Sequence, residues 1–512
     1  MGEEKFYVTA AIPYVNAPPH MGHALEFVQA DTIARFQRLS GADVFFVTGA
    51  DENALKNVLA AKKQKKSVKA LCDENTKRFV EFIKILNISI NEFRRGSDKK
   101  LHWPGVWELW KRCDKAGDIY KKSYKGFYCV GCESFKTKRD LVDGFCPYHK
   151  EKPELVEEEN YFFKLSKYQK IIEKLIETDE VKIIPEHRKK EILTFIKMGL
   201  EDFSISRSQK RARGWGIPVP GDESQIIYVW YDALTIYLTA IGLSYDNELL
   251  RRWWPAQLHE IGKDIIRFHA VYWIGMLLSA HLSLPREIFV HGFIASGGHK
   301  MSKSLGNVVD PMEIIKKYGS EGLRFYLLRE IPAYQDGDFT ERRFKEVYNS
   351  DLANGLGNLF ARVTTLVKRY FNGRVPKAQN PYEVPKIGLF EKLEVYQKHY
   401  EKSLGEYKFN EALVGVFSFI ADCDKYIDIN QPWVLAKTEQ KERLAQVTFN
   451  LLEGLHQIGW FLLPFLPKTS VEIGKRLGVE GLQKTNPHIE EADVLLGTGV
   501  KITVGKPLFP RI

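Results

Sequence analysis

The sequence predicts an α/β fold: a doubly wound parallel sheet, interrupted by an inserted segment and followed by an all-α helical bundle. Three observations support this. Strand and helix patterns alternate from the N-terminus, the alternation breaks at a cysteine-bearing stretch and then resumes, and beyond about residue 340 only long helical periodicities remain.

Phe6 to Ile12 is a β-branched and aromatic run that reads as a strand; a Pro- and Asn-rich loop follows, then an amphipathic helix from Gly22 to Leu39. Asp43 to Thr48 repeats the pattern, a buried strand ending at Gly49-Ala50-Asp51 and leading into a helical stretch. Strand, helix, strand in this order implies crossover connections and a parallel sheet of the Rossmann type. Ligands of such sheets collect at the carboxyl ends of the strands, so His20, His23 and Asp51 are expected to converge. From about Trp110 to Gly221 the chain carries clustered cysteines, the acidic run Glu157-Glu158-Glu159 and the Gly- and Pro-rich return RARGWGIPVPG, which reads as an inserted domain. Strands are expected again at Gln225 to Trp230 and Ile288 to Phe293. The runs Leu413 to Ile429 and Arg443 to Phe465 are bundle helices, and the closing KITVGKPLFPRI reads as an extended tail packing back on the body. The expected organisation is therefore 1–109 and 222–295 as two halves of the sheet domain, 110–221 as the insertion, 296–341 as a linking segment and 342–512 as the helical domain.

Composition fits this. At 512 residues, 44% hydrophobic and 27% charged, the chain suits a globular protein of about two to four domains, without collagen-like or low-complexity sequence and without an internal repeat. MGEEKFYVTAAIPY has acids at positions 3 and 4 and no sustained apolar run, unlike a secretory leader, and Phe6 stands where a myristoylation signal needs Ser or Thr. Ala270 to Ala280 and Gly459 to Leu466 are too short or interrupted to span a bilayer, so a cytoplasmic protein with no membrane partner is expected. The net charge of +10 is compatible with a polyanionic partner, and equally with charge that only confers solubility.

CVGCESFKTKRDLVDGFCPYH pairs Cys129 with Cys132 and Cys146 with His149, each two residues apart. Turns of this kind aim two soft ligands at one point, and four such ligands close a tetrahedral zinc site with no open position. One structural Zn2+ per chain is expected here, and three clustered cysteines of six argue against a disulfide framework. In GGHKMSKSLGN, residues 297 to 307, two glycines precede Lys300, Ser302, Lys303 and Ser304. Flexible backbone, paired ammonium groups and hydroxyls suit polyphosphate oxygens, although the segment is not a Walker loop.

HMGH after the first strand and KMSKS after a late one, in one doubly wound chain, resemble the HIGH and KMSKS motifs of class I aminoacyl-tRNA synthetases. AAIPYVNAPPHMGH, VTGADEN, YVWYDAL, EIGKDIIRFHAVYW and HKMSKSLGN further resemble the methionyl-tRNA synthetases, as does the single zinc knuckle, over nearly the whole chain. The resemblance implies that His20 and His23 bond the ATP triphosphate and stabilise charge at phosphorus, their imidazoles facing one way at the start of a helix with Gly22 leaving room for the nucleotide. It implies that Lys300 and Lys303, with Ser302, come from a mobile loop to the leaving pyrophosphate, and that Gly262, Lys263 and Asp264 match the GKD that holds the ribose. For methionine the matching positions are Ile12, Tyr14, Asp51, Trp230, Ala233, Leu234, Tyr237, Ile265 and His269, with Asp51 on the α-ammonium. Asn358, Arg362 and Trp433 match the anticodon readers of the family's helical anticodon-binding domain.

The implied activity is ATP-dependent ligation of L-methionine to tRNA(Met) through a methionyl-adenylate, with Mg2+ accompanying ATP. The chain is expected to be a monomer. A class I synthetase for another apolar amino acid and a catalytically silent tRNA-binding relative are the alternatives. One departure stands out: many family members read Asp-Glu-His-Gly after the second strand, whereas this chain has Asp51-Glu52-Asn53-Ala54.

Overall fold

The computed structural model describes residues 4–131, 134–136, 140–147, 150–301, 307–378, 389–479 and 496–512. Six parallel strands form its main sheet: β1 (Lys5–Ala10), β2 (Asp43–Ala50), β3 (Glu92–Arg95), β4 (Lys182–Ile184), β5 (Leu258–Gly262) and β6 (Glu287–His291). Their spatial order is β3-β2-β1-β5-β6-β4. β1 pairs with β2 on one side and β5 on the other, so Thr9 lies between Val47 and His259. The order of the strands reverses at this point, which is where open α/β sheets form their ligand crevice. Tyr7 to Ala10 are fully buried, as expected of a strand covered on both faces.

The chain divides into two compact units, Met1–Pro19 with Asp43–Lys84 and Ser89–His291, and His20–Ala42 with Ile85–Ile88 and Gly292–Ile512. Helix α1 (Met21–Leu39) joins β1 to β2 along the chain but clusters with the second unit.

In the first unit, three expectations need correction. β5 was not anticipated, because His259 and Glu260 interrupt its apolar pattern; both are fully buried in the sheet, where Thr9 Oγ1 lies 2.7 Å from His259 Nδ1 and Trp273 Nε1 donates to His259 Nε2 at 3.2 Å. The run expected as a strand at Gln225 to Trp230 does not enter the parallel sheet. It is the antiparallel strand Asp222–Ile227, paired with Ser206–Ser208 and Pro218–Val219, after which helix α2 (Val229–Thr239) begins. Strand propensity says nothing of the partner. Finally, the segment 110–221 is not wholly inserted, since it returns β4 to the edge of the main sheet beside β6. The inserted part is built on the long hairpin of Ile119–Cys129 with Glu154–Phe163, flanked by Ser134–Lys136 and Phe203–Ser204.

The second unit groups α1 with α3 (Ser320–Arg329), α4 (Asn358–Tyr370), α5 (Phe409–Asn430), α6 (Pro432–Lys437), α7 (Lys441–Phe461) and α8 (Pro467–Leu477), and α1 packs on α3. A buried ion pair anchors α1: Arg324 Nη1 lies 2.8 Å from Asp31 Oδ2, both side chains wholly inaccessible. Arg324 also donates to the carbonyls of Phe465, Pro464 and Leu86, so one guanidinium ties α1 and α3 to the turn between α7 and α8. The C-terminal tail packs back as expected, with Val375 N donating to Val500 O at 2.9 Å and Phe509 buried edge-on to Tyr348. Among the described residues no helix is long and apolar enough to cross a membrane.

Candidate active site

His20 and His23 meet at the N-terminus of α1, and they cap it. Gly22 N and His23 N donate to His20 Nδ1 at 3.1 and 3.4 Å, while His20 N donates to His23 Nδ1 at 3.1 Å. This is a reciprocal capping box made of imidazoles, with the rings stacked at 3.7 Å and 17° between planes. The physical consequence is a fixed tautomer. A ring nitrogen that accepts backbone N–H groups holds no proton, so each neutral ring carries its proton on Nε2. Although His20 keeps solvent access, surrounding protein lowers its pKa to about 4, and burial followed by the neighbouring His20 pushes His23 well down. A Cβ on Gly22 would lie 3.0 Å from His20 Cε1, so the glycine also makes room for the capping ring.

The second motif belongs to the same unit. Ile294–Ser296 and His299–Lys300 form a hairpin whose two-residue turn is Gly297-Gly298, with φ of 63° and 75°. Both central residues need positive φ, which glycine adopts at no steric cost. The glycines therefore make a tight turn rather than an open loop, and Gly298 N donates to Asp338 Oδ1 at 3.0 Å. Ser302 and Lys303 lie outside the described residues, as does the side chain of Lys300.

The residues expected around methionine all lie in the first unit, near the carboxyl ends of β1, β2 and β5. Asp51 N donates to Pro13 O at 2.9 Å and Tyr14 bridges to Asp51, so the chain leaving β1 is zipped to the end of β2. Tyr14 meets Trp230 edge-on at 6.2 Å. Trp230, Ala233, Leu234 and Tyr237 come from α2 and are buried, and Ile12 and Ile265 pack at the edge of the same core. His269 Nδ1 lies 3.1 Å from the Ile265 carbonyl and so carries the proton, leaving Nε2 to accept from Tyr237 Oη at 2.9 Å. Burial lowers His269 to about 4, in accord with a neutral ring.

One aromatic was missed. Phe268 stacks on Trp230 at 4.0 Å and 8°, and with His269 it occupies a single turn of π-helix, Phe268–Tyr272. In sequence an aromatic beside a helix reads as ordinary core; only the π-turn, frequent at functional sites, marks it.

Gly262 ends β5, and Lys263 and Asp264 follow it directly, with Asp264 exposed. A Cβ on Gly262 would lie 3.1 Å from Asp264 Oδ1, so the carboxylate folds back over the strand end beside β1.

A family model described as tRNA synthetases class I (M) matches residues 6–152 and 139–364, and one described as the anticodon-binding domain of tRNA ligase matches 388–494. A methionine–tRNA ligase of Thermotoga maritima is 41% identical over 99% of this chain and 80% of its own length. The chain belongs to the class I methionine–tRNA ligase family. A Brucella suis member is 39% identical over 100% of this chain and 98% of its own. A Mycobacterium tuberculosis methionyl-tRNA synthetase, solved in complex with methionyl-adenylate, superposes with a TM-score of 0.94 at 38% identity over 99% of this chain and 100% of that one.

The family's acidic strand end shows how this chain accommodates its departure. Glu52, fully buried, accepts from Arg95 Nη2 at 2.6 Å, Thr76 Oγ1 at 2.9 Å and Ser97 N at 3.1 Å. Asn53 donates to Asp232 Oδ2 at 2.7 Å and to Gly96 O at 2.9 Å. Trp215, from the return of the insertion, donates to Glu52 O at 2.7 Å, so the RARGWG loop rests against the same strand end.

The positions matching this family's anticodon readers lie in the helical unit. Asn358 is exposed at the start of α4. Arg362 is held by Asp424 at 2.6 Å and Asp428 at 2.9 Å on α5, partners the sequence did not suggest. Trp433, in α6, keeps 40% of its surface exposed. Of the four expected zinc ligands, Cys132 and His149 lie outside the described residues. Cys129 ends a strand, and Cys146 opens a tight turn in which Lys150 N donates to Cys146 O at 2.8 Å. Both thiols are buried, which together with the soft donor set fits a structural zinc knuckle.

Proposed function

We propose that this protein ligates L-methionine to tRNA(Met). The observation that carries the proposal is the likeness, over 99% of the chain, to a relative solved with methionyl-adenylate. The methionine carboxylate oxygen attacks the α-phosphorus of ATP, and the bond to the β-phosphate oxygen breaks with departure of pyrophosphate. The 2′-hydroxyl of the terminal adenosine then attacks the aminoacyl carbonyl and AMP leaves. Magnesium, bound to ATP, screens its phosphates.

No protein nucleophile is needed, so positioning and electrostatics carry the rate. His20 and His23 offer Nε2–H donors beside the positive end of α1, which suits phosphate oxygens without adding a charge that must be desolvated. Lys300 and Lys303 neutralise the departing pyrophosphate. Asp51 receives the α-ammonium, Asp264 the ribose hydroxyls, and the walls of Tyr14, Trp230 and Tyr237 enclose the thioether. Trp230 Nε1 is buried without a hydrogen-bond partner among the described residues, a donor in keeping with a wall that faces a ligand. Cys129, Cys132, Cys146 and His149 would hold a zinc ion, which would supply folding energy to the insertion.

Trp433 supports recognition of the anticodon, because an exposed indole is a stacking surface for an unpaired base, with Arg362 and Asn358 as hydrogen-bonding neighbours. ATP–pyrophosphate exchange across a panel of amino acids tests the reading. Methionine should support exchange and leucine, isoleucine and valine should not; preference for one of these, or no exchange with any, refutes it.

A further inference from the structure

We propose that Asn53, acting through Asp232 and His102, is a positioning residue for the amino acid: it sets α2, and with it Trp230, Ala233 and Leu234, against the Asp51 end of β2. The inference rests on methionine activation as the function. Asn53, Asp232 and His102 are 9%, 2% and 0% exposed, so every polar atom among them depends on protein partners. Asn53 Nδ2 spends both its protons, one on Gly96 O and one on Asp232 Oδ2. The other oxygen of Asp232 lies 2.6 Å from His102 Nε2, and His102 Nδ1 lies 2.7 Å from Thr239 Oγ1. Asp232 and Thr239 sit two turns apart on α2, so a single imidazole grips that helix at two points and opposes any slide along its axis.

Asn53 joins this grip to the end of β2, two residues beyond Asp51. The fit is close on both sides. A Cβ on Gly96 would approach Ala50 O to 3.2 Å and Asn53 Nδ2 to 3.5 Å, and one on Gly105 would meet Thr239 Cγ2 at 2.3 Å. Removing the amide leaves Asp232 Oδ2 without its donor in a dry site, and α2 must shift to relieve it, carrying Trp230 and Ala233 away from Asp51. The nucleotide positions Gly262 to Asp264 lie at the end of a different strand, β5. The histidine common at this position in the family has two ring nitrogens that point apart and, when neutral, a proton on only one of them, so it supplies one of the two bonds and not both.

The experiment is ATP–pyrophosphate exchange by the full chain, with KM measured separately for methionine and ATP. Asn53→Ala should raise the methionine KM about tenfold, the cost of one buried hydrogen bond, while kcat and the ATP KM stay within about twofold. Asn53→His should recover most of the loss, to within about threefold of wild type. An unchanged methionine KM in both variants overturns the proposal. So does an equal rise in both KM values that follows the thermal midpoint, the mark of a merely structural residue. If Asn53→Ala does not fold, Asn53→Ser, which cannot supply both bonds, decides by the same criteria. A wild-type protein that shows no methionine-dependent exchange sinks the functional reading itself, and the proposal with it.

Discussion

His20 has two separable roles, one in the helix and one toward phosphate, and a single substitution divides them. Its Nδ1 accepts two backbone N–H groups of α1, at 3.1 and 3.4 Å, which leaves the proton on Nε2. Asparagine is among the best N-cap residues, since its side-chain oxygen reaches the same N–H groups. His20→Asn should therefore keep the cap but remove the Nε2–H donor. His20→Ala removes both, and loss of an N-cap costs about 1 kcal/mol. Loss of a preorganised donor at a site of developing charge costs about 3 to 4 kcal/mol, or a factor of 100 to 1,000 in rate. The expected pattern is a thermal midpoint within about 1 °C of wild type for His20→Asn and lowered by about 2 °C for His20→Ala, with exchange reduced at least about a hundredfold in both. Differential scanning fluorimetry and ATP–pyrophosphate exchange on the same preparations give the two readouts. Wild-type exchange by His20→Asn would show that the imidazole serves the helix alone. Equal destabilisation of both variants would refute the capping argument.

Folded-state values of about 4 for His20 and His269 lie below the ordinary 6.5. The unfolded chain takes up those protons first, so their contribution to stability is complete above pH 6.5 and is lost as pH falls towards 4. Stability should begin to decline just below pH 6.5 while exchange at saturating substrate holds until nearer 4; an exchange rate that halves at 6.5 would contradict neutral, capped rings. Arg324→Met leaves Asp31 buried without its fully buried partner, Arg35 remaining paired to it, and should cost about 3 to 5 kcal/mol in chemical denaturation. Adding Asp31→Asn should restore more than about 1 kcal/mol, and strict additivity would deny the coupling. Trp433→Ala should impair tRNA charging and spare methionine activation, because the indole keeps 40% of its surface exposed; equal loss of both would make it structural. Cys129→Ser should lower zinc content by elemental analysis and destabilise the insertion, and a variant with full metal content would remove Cys129 from the ligand set.

Short motifs with a local mechanism were legible. HMGH could be placed at a helix start after a strand, and GGHKMSKSLGN after a late strand, because glycine, imidazole and lysine each advertise their chemistry within a few residues. The closeness of Gly22 to His20 was not legible, since it comes from a ring that turns back across the helix terminus. β5 escaped notice for a related cause. A central strand with His259 and Glu260 inside breaks the apolar pattern, and the buried histidine is bonded by Thr9, 250 positions away, and by Trp273 on a later helix. The run ending at Ile227 was read correctly as extended and assigned to the wrong sheet, because backbone propensity is local and strand pairing is not.

Sequence alone therefore determined the class of fold and the strand-then-helix order at its start, since periodicity and side-chain type are properties of neighbouring residues. Tertiary structure decided which strand lies beside β1, that the two histidines cap one another, and that Asn53 is bound to Asp232 across 179 positions of chain. Those outcomes depend on which buried polar atoms find partners. That condition is settled only when distant segments are packed together and water has been excluded.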